Sequence, residues 1–384
     1  MIFSFASLYK AFIKCRKNKR NTANALRFEQ NLLENLCDLE TSLKTKSYRP
    51  NRSIAFLSNS PKLREIFAAD FRDRVVHHLL VPHLAKVFEP KFIYDVYNNR
   101  EGKGIHQATK RAKQFAVRHK NGYYLQLDIK SFFYNIDKNI LYDKIAKEIK
   151  DKDILWLSKV IIDNDVTSNY HFKGDKRKLE LLPPHKTLFK IAKNKGLPIG
   201  NLTSQFFANV YMNDFDNFVK RTLKCKCYIR YVDDFVIFGS SLEELKELKI
   251  TIEEYLFYTL QLELRQDSKC RPIKDGLDFL GYIIRPNYIL TRNRVVNNYK
   301  YKKAKYLEKY EASHCECNEA IHKDNRLPRL KPRSDPMSLE EIKRFLSVQA
   351  SFLGHISHGD SYNLKQKVGI IDEKQCIYPT RISW

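Results

Sequence analysis

No run of about 18 apolar residues occurs in this 384-residue chain, so no stretch has the length of a membrane-spanning helix and no membrane is expected among its partners. The opening ten residues are too short and turn basic too quickly for a secretion signal, and the expected location is the cytoplasm. The 8 cysteines lack a disulfide-framework spacing, which leaves most of them reduced and structural. His314, Cys315 and Cys317, with His322 nearby, have zinc-ligand chemistry but no second CxxC-like pair to complete a site. No internal repeat is detectable. Acid is the scarce charge: Asp+Glu number 44 against 69 Lys+Arg, a formal net charge of +25. Such an excess favours a polyanionic partner, nucleic acid foremost, whose binding weakens steeply with salt. Aromatics at 12% leave room for base stacking, although most belong to the core of a chain this long. The length allows two or three subdomains of roughly 100–200 residues.

Against that shortage of acid, Tyr231-Val232-Asp233-Asp234 stands out, because two adjacent carboxylates sit between two β-prone apolar runs within residues 227–239. The pattern predicts a hairpin whose turn presents acid. Two aspartates at a turn need a partner from elsewhere, and Mg²⁺ takes a few carboxylates plus substrate phosphates. A third acid, Asp128, closes a strand-like run that begins at Tyr123. With the strands side by side, Asp128 and Asp233 can bridge two Mg²⁺ ions about 3.5–4 Å apart, the arrangement of phosphoryl-transfer enzymes, with Asp234 in support. An Asp-Asp pair alone is a common solvated turn; an acid closing an apolar strand in the right order along the chain makes an accidental turn a poorer explanation.

Between the acids lies Gly-Leu-Pro-Ile-Gly-Asn-Leu-Thr-Ser-Gln, residues 196–205, followed by a helix-like run with Phe206, Phe207, Val210, Phe215 and Phe218. Glycine and proline let the backbone pass close to a base pair, Asn201 or Ser204 can start the helix, and the aromatics read as core. With this loop the chain resembles the reverse transcriptases, in particular those of diversity-generating retroelements, over roughly residues 8–364. The resemblance implies an α+β right-hand polymerase: fingers, a palm of antiparallel sheet packed on helices, and a helical thumb. It divides the chain into N-terminal helices and fingers (1–122), palm (123–285, with an inserted loop at 169–194) and thumb with tail (286–384). The implied metal set is Asp128, Ile129, Asp233 and Asp234, holding two Mg²⁺.

Other blocks fall in the family's order. Residues 61–78 and 92–106 resemble the fingers blocks, with Arg64 as a nucleotide contact and Arg100 where the triphosphate is held; a guanidinium fork suits both. Phe133 matches the bulky residue that closes the sugar pocket, with the proviso that only one of Phe132 and Phe133 on a strand can face a site. Gly200 and Gln205 belong to the expected nucleotide-binding set. Residues 262–270 resemble the block with a lysine near pyrophosphate, which makes Lys269 a candidate general acid beside the three catalytic aspartates. Residues 276–284 resemble the primer-grip hairpin. Two departures separate this chain from commoner relatives. Ile199 replaces a glutamine whose amide contacts the nucleotide, which implies low fidelity through loss of an oriented hydrogen bond, and Ser204-Gln205 stands where many carry Ser-Pro, which points to the diversity-generating branch.

Periodicity predicts one amphipathic helix over 21–46, with Leu26, Leu32, Leu33, Leu36, Leu39 and Leu43, and another over 153–163; composition reads as a loop or short hairpin over 169–194 and a linker at 326–333, and residues 338–355 resemble a thumb helix of the family. The implied partners are template RNA, a DNA or RNA primer, dNTPs and a small basic accessory protein. No endonuclease, RNase H or maturase extension is recognised after the thumb, which argues against a self-sufficient mobile intron protein. A phage-defence reverse transcriptase of similar core is the alternative. A catalytically silent RNA-binding scaffold is a third reading, opposed by three intact acids.

Overall fold

The computed structural model describes residues 2–17, 22–58, 62–319, 339–359 and 364. The 314–322 histidine and cysteine side chains and the 326–333 linker lie outside the described residues. In chain order the helices are α1 (Phe5–Arg16), α2 (Ala23–Gln30), α3 (Leu32–Lys44), α4 (Phe71–Phe88), α5 (Ile105–Arg118), α6 (Phe132–Asn135), α7 (Lys138–Glu148), α8 (Lys152–Asp163), α9 (Leu202–Asn217), α10 (Leu242–Leu260), α11 (Asn293–Glu319) and α12 (Leu339–Ile356). The strands are β1 (Ser53–Ser58), β2 (Arg64–Ala68), β3 (Tyr123–Asp128), β4 (Tyr170–Phe172), β5 (Tyr228–Tyr231), β6 (Asp234–Gly239), β7 (Lys269–Pro272), β8 (Leu277–Phe279), β9 (Tyr282–Ile284) and β10 (Ile289–Thr291). They form two compact units, residues 1–108 with 122–271 and residues 109–121 with 272–384.

The first unit is built on a four-stranded sheet of order β5-β6-β3-β7. Strand β3 pairs antiparallel with β6, from Tyr123 opposite Gly239 to Asp128 opposite Asp234. One face is apolar: Leu125, Leu127, Phe235 and Ile237 enter a core with Phe206, Phe207, Val210 and Phe215 of α9. Helix starts are fixed by side chains that accept orphan amide protons, Asp70 at α4, Asp137 at α7, Asp151 at α8 and Ser241 at α10.

A second sheet in this unit has the order β2-β1-β4. Here the structure corrects the reading of 169–194 as a loop or hairpin inserted in the palm. Tyr170–Phe172 adds a parallel strand to β1, and 3-10 turns follow. Tyr170 and Phe189 pack on Phe67, while buried Glu65 accepts hydrogen bonds from Thr187 Oγ1 (2.7 Å) and the Leu188 amide (2.9 Å). The segment therefore belongs to the β2-β1-β4 sheet. The single helix expected over 21–46 is two: Asn31 leaves the helical region, α2 and α3 bury Ala25, Phe28, Leu36, Leu39 and Leu43, and Leu26 and Leu33 face solvent.

The second unit contains the sheet β10-β9-β8 and the helices α11 and α12. The compact units divide after residue 271, and β8 and β9 pair onward to β10 within the second unit. The 276–284 segment is the expected hairpin, its turn made by Leu280 and Gly281 at positive φ. Tyr299 stacks on Phe352 at 4.0 Å, joining α11 to α12 beside Val296 and Ile356.

Candidate active site

The register that pairs Asp128 with Asp234 puts the end of β3 beside the β5–β6 turn. Burial first, and then the neighbouring Asp128, push the Asp233 carboxyl up to about 6. Asp128 is also raised, by burial first, against the opposing pull of Arg265, whose Nη1 donates to Asp128 Oδ2 at 3.1 Å. The Asp234 carboxylate accepts from Gln126 Nε2 at 3.2 Å. Among the described residues no three His, Cys, Asp or Glu side chains are gathered tightly enough to hold a metal ion by themselves. Two carboxylates that raise each other's cost of ionisation, one of them already drawing a guanidinium, fit a hard cation completed by oxygens from a substrate.

The turn that carries Asp233 is strained. Val232 has φ +60°, a left-handed conformation that a β-branched residue rarely adopts. Its amide donates to Asn98 Oδ1 at 3.0 Å and its carbonyl accepts from Arg230 Nη1 at 2.9 Å. Arg230, fully buried, donates to both oxygens of equally buried Asp216, at 2.7 and 2.6 Å, and Tyr228 donates its hydroxyl to Asp216 at 2.6 Å. Asn209 and Asn98 exchange hydrogen bonds at 2.8 and 2.9 Å. The Arg230 backbone is held as well, by Asp95 and Tyr97 at 3.0 and 3.1 Å. This network is what keeps an unfavourable backbone conformation in place under the acids.

Sequence reasoning missed Arg230, Asp216, Asn209 and Asn98. Their signal was a basic residue inside an otherwise apolar strand and an acid on the apolar run of α9, both of which demand a buried partner.

The 196–205 loop is tied to β2. The Phe67 amide donates to the Ile199 carbonyl at 3.0 Å, and the Ala69 amide donates to Asn201 Oδ1 at 3.0 Å. Asn201 thus stands at the start of α9 but spends its side chain on Ala69, just past β2, instead of capping the helix. Gly200 has φ +119°, and a Cβ there would come within 2.9 Å of Ile66 Cγ2. Gln205 is exposed on the first turn of α9.

The remaining expected residues divide. Phe132 and Phe133 lie in the short helix α6, not on a strand as expected, because Ser131 turns the chain with φ +48° directly after β3. Phe132 is buried and Phe133 half-buried, so Phe133 is the ring left accessible. Arg64 opens β2, is exposed, and pulls the Asp233 carboxyl downward in opposition to burial. Arg100 has another occupation from the phosphate contact expected of it. Its Nε donates to Glu89 at 2.7 Å, its Nη1 to the Ile93 carbonyl at 2.8 Å, and its guanidinium lies 5.4 Å from the Phe92 ring centroid. Lys269 is exposed at the start of β7. Ile129 is buried, and its amide donates to the Asp233 carbonyl at 3.2 Å.

A family model described as reverse transcriptase (RNA-dependent DNA polymerase) matches residues 51–284, more than half of the chain. The chain belongs to the reverse transcriptase family. The matched span contains both sheets of the first unit and all three acids, and the expected α+β polymerase fold class stands. Protein YkfC of Escherichia coli K12 is 22% identical over 296 residues, covering 67% of this chain and 72% of that protein. The group II intron-encoded protein LtrA of Lactococcus lactis subsp. cremoris is 27% identical over 182 residues, 46% of this chain. This reverse transcriptase chain spans only 27% of LtrA. The structure of apo telomerase from Candida tropicalis, truncated from its C-terminal domain, aligns with a TM-score of 0.46 at 13% identity, covering 66% of this chain and 59% of that one.

Proposed function

We propose that this reverse transcriptase copies a template RNA into DNA by metal-assisted nucleotidyl transfer, as the polymerase of a diversity-generating retroelement. The observation that carries the polymerase reading is Asp128 at the end of β3 beside Asp233 in the β5–β6 turn, with Asp233 raised to about 6. Asp128 and Asp233 would hold the cations, the Ile129 carbonyl would stand beside them, and Asp234 would support them. When bound, Mg²⁺ supplies the charge that favours an ionised primer 3′-hydroxyl and neutralises pyrophosphate.

The protein's own residues position. The fixed turn at Val232 holds Asp233 against Asp128, so that reacting groups meet without further reorganisation. Arg64 offers charge to the triphosphate, and the Phe133 ring occupies space that a ribose 2′-hydroxyl would need. Gly200 lets the 196–200 backbone lie against Ile66 and Phe67, close to where a base pair stacks. Lys269, on the strand next to β3, is the proposed proton donor to the leaving group. RNA template, primer and dNTPs are the implied ligands, and a small basic accessory protein the implied partner.

The retroelement reading rests on Ile199 and Gln205. Ile199 offers packing where a glutamine would offer an oriented amide, so mispairs meet less resistance. Sequencing of cDNA made by the parent and by Ile199→Gln tests it. Errors concentrated at template adenines in the parent and reduced in the variant are expected; equal error spectra remove the claim. Accurate or template-independent products from the parent would favour a defence enzyme.

A further inference from the structure

Arg265 has no part in the scheme above, yet it stands on the first acid. Its backbone amide donates to the Asp128 carbonyl at 2.8 Å, the Lys130 amide donates to the Glu263 carbonyl at 2.8 Å, and Ile129 bridges Leu264. The 263–265 backbone is thus laddered onto the end of β3, which holds the base of the Arg265 side chain beside Asp128 and leaves its guanidinium free to swing. Its guanidinium is divided: Nη1 reaches Asp128 Oδ2 at 3.1 Å and Nη2 reaches Asp267 Oδ2 at 2.8 Å. The side chains of Arg265 and Asp128 are 39% and 36% exposed, so a cation from solution can compete for the carboxylate.

We propose that Arg265 is a charge latch on the catalytic acid. In the free enzyme it neutralises Asp128, whose charge would otherwise repel Asp233. An arriving divalent cation takes its place, because two positive groups cannot share that carboxylate at close range without mutual repulsion. Asp267 then keeps the displaced guanidinium beside the site, where the released donors face the phosphates that arrive with the cation. The latch rests on Asp128 and Asp233 being the cation ligands.

Mn²⁺ titration followed by electron paramagnetic resonance, without nucleotide, separates the two claims. Arg265→Gln is expected to tighten Mn²⁺ binding about two- to fivefold, the worth of a partly exposed ion pair. Arg265→Lys, which keeps the charge, should lie nearer the parent. Asp267→Asn should weaken binding, since the guanidinium then leans on Asp128 alone, and should lose most of that effect in the Arg265→Gln background. In steady-state primer extension at saturating metal, Arg265→Gln should raise the KM for dNTP with little change in kcat. Equal Mn²⁺ affinity in the parent, Arg265→Gln and Arg265→Lys overturns the latch alone, as does an Asp267→Asn effect of the same size in both backgrounds. No Mn²⁺ binding by the parent overturns the latch together with the reading of the acids.

Discussion

Asp233, the proposed cation ligand, is a charge that works against the fold that holds it. Its carboxyl is raised from the ordinary range to about 6, so the folded state prefers the proton more than the unfolded chain does. The stability it contributes is therefore present below the unfolded value and is lost as pH rises through about 6. Asp233→Asn should accordingly raise the melting temperature at pH 7.5, with that advantage shrinking as pH falls through about 6 and gone only below 3.8, a comparison that calorimetry makes directly. Metal binding has the opposite sign, since a cation competes with protons for the same oxygens, so apparent Mn²⁺ affinity should fall as pH drops below about 6. Beneath the turn, Asp216→Asn would leave the Arg230 charge buried without a counter-charge, and chemical denaturation should record a loss of about 3–5 kcal/mol. The acids themselves were legible because adjacent carboxylates between apolar strands have few structural uses. Arg230 and Asp216 were not, because 14 positions separate them and only the folded register brings them to 2.6 Å.

At the scale of elements, periodicity located α8 and the apolar face of α9 but not the break between α2 and α3. The leucine spacing continues across Asn31, and the exposure of Leu26 and Leu33 follows from where α1 and α4 pack, a long-range fact. Strand β4 was hidden for a similar reason. Three residues carry too little alternation to read as a strand, and their pairing with β1 spans more than a hundred positions. Arg100 illustrates a different limit: a fork of donors suits phosphate and suits the Glu89 carboxylate with three backbone carbonyls equally well, and sequence cannot choose between them. The 196–205 loop, by contrast, was readable because glycine at φ +119° against Ile66 leaves few alternatives. Gly200→Ala should push the loop off β2; an increase in the KM for dNTP of about tenfold, together with a lowered melting temperature, is the expected signature.

The whole molecule is set by charge. With +25 spread over 384 residues, template affinity should fall steeply between 50 and 200 mM salt, about 10³-fold if six or more phosphates are contacted. A fluorescence anisotropy titration at several salt concentrations measures that slope, and a flat response would remove nucleic acid from the account. Charge alone does not select a template, because phosphate contacts position a strand without reading it. What it does is bring a polyanion to the protein, whose Asp128, Asp233 and Asp234 meet at one turn.

Primer extension on an RNA template with Mg²⁺, parent against Asp233→Asn with folding verified by circular dichroism, tests the central claim most directly. The parent is expected to make DNA and the folded variant to make none above background; DNA synthesis by Asp233→Asn at the parental rate would contradict the assignment of these acids.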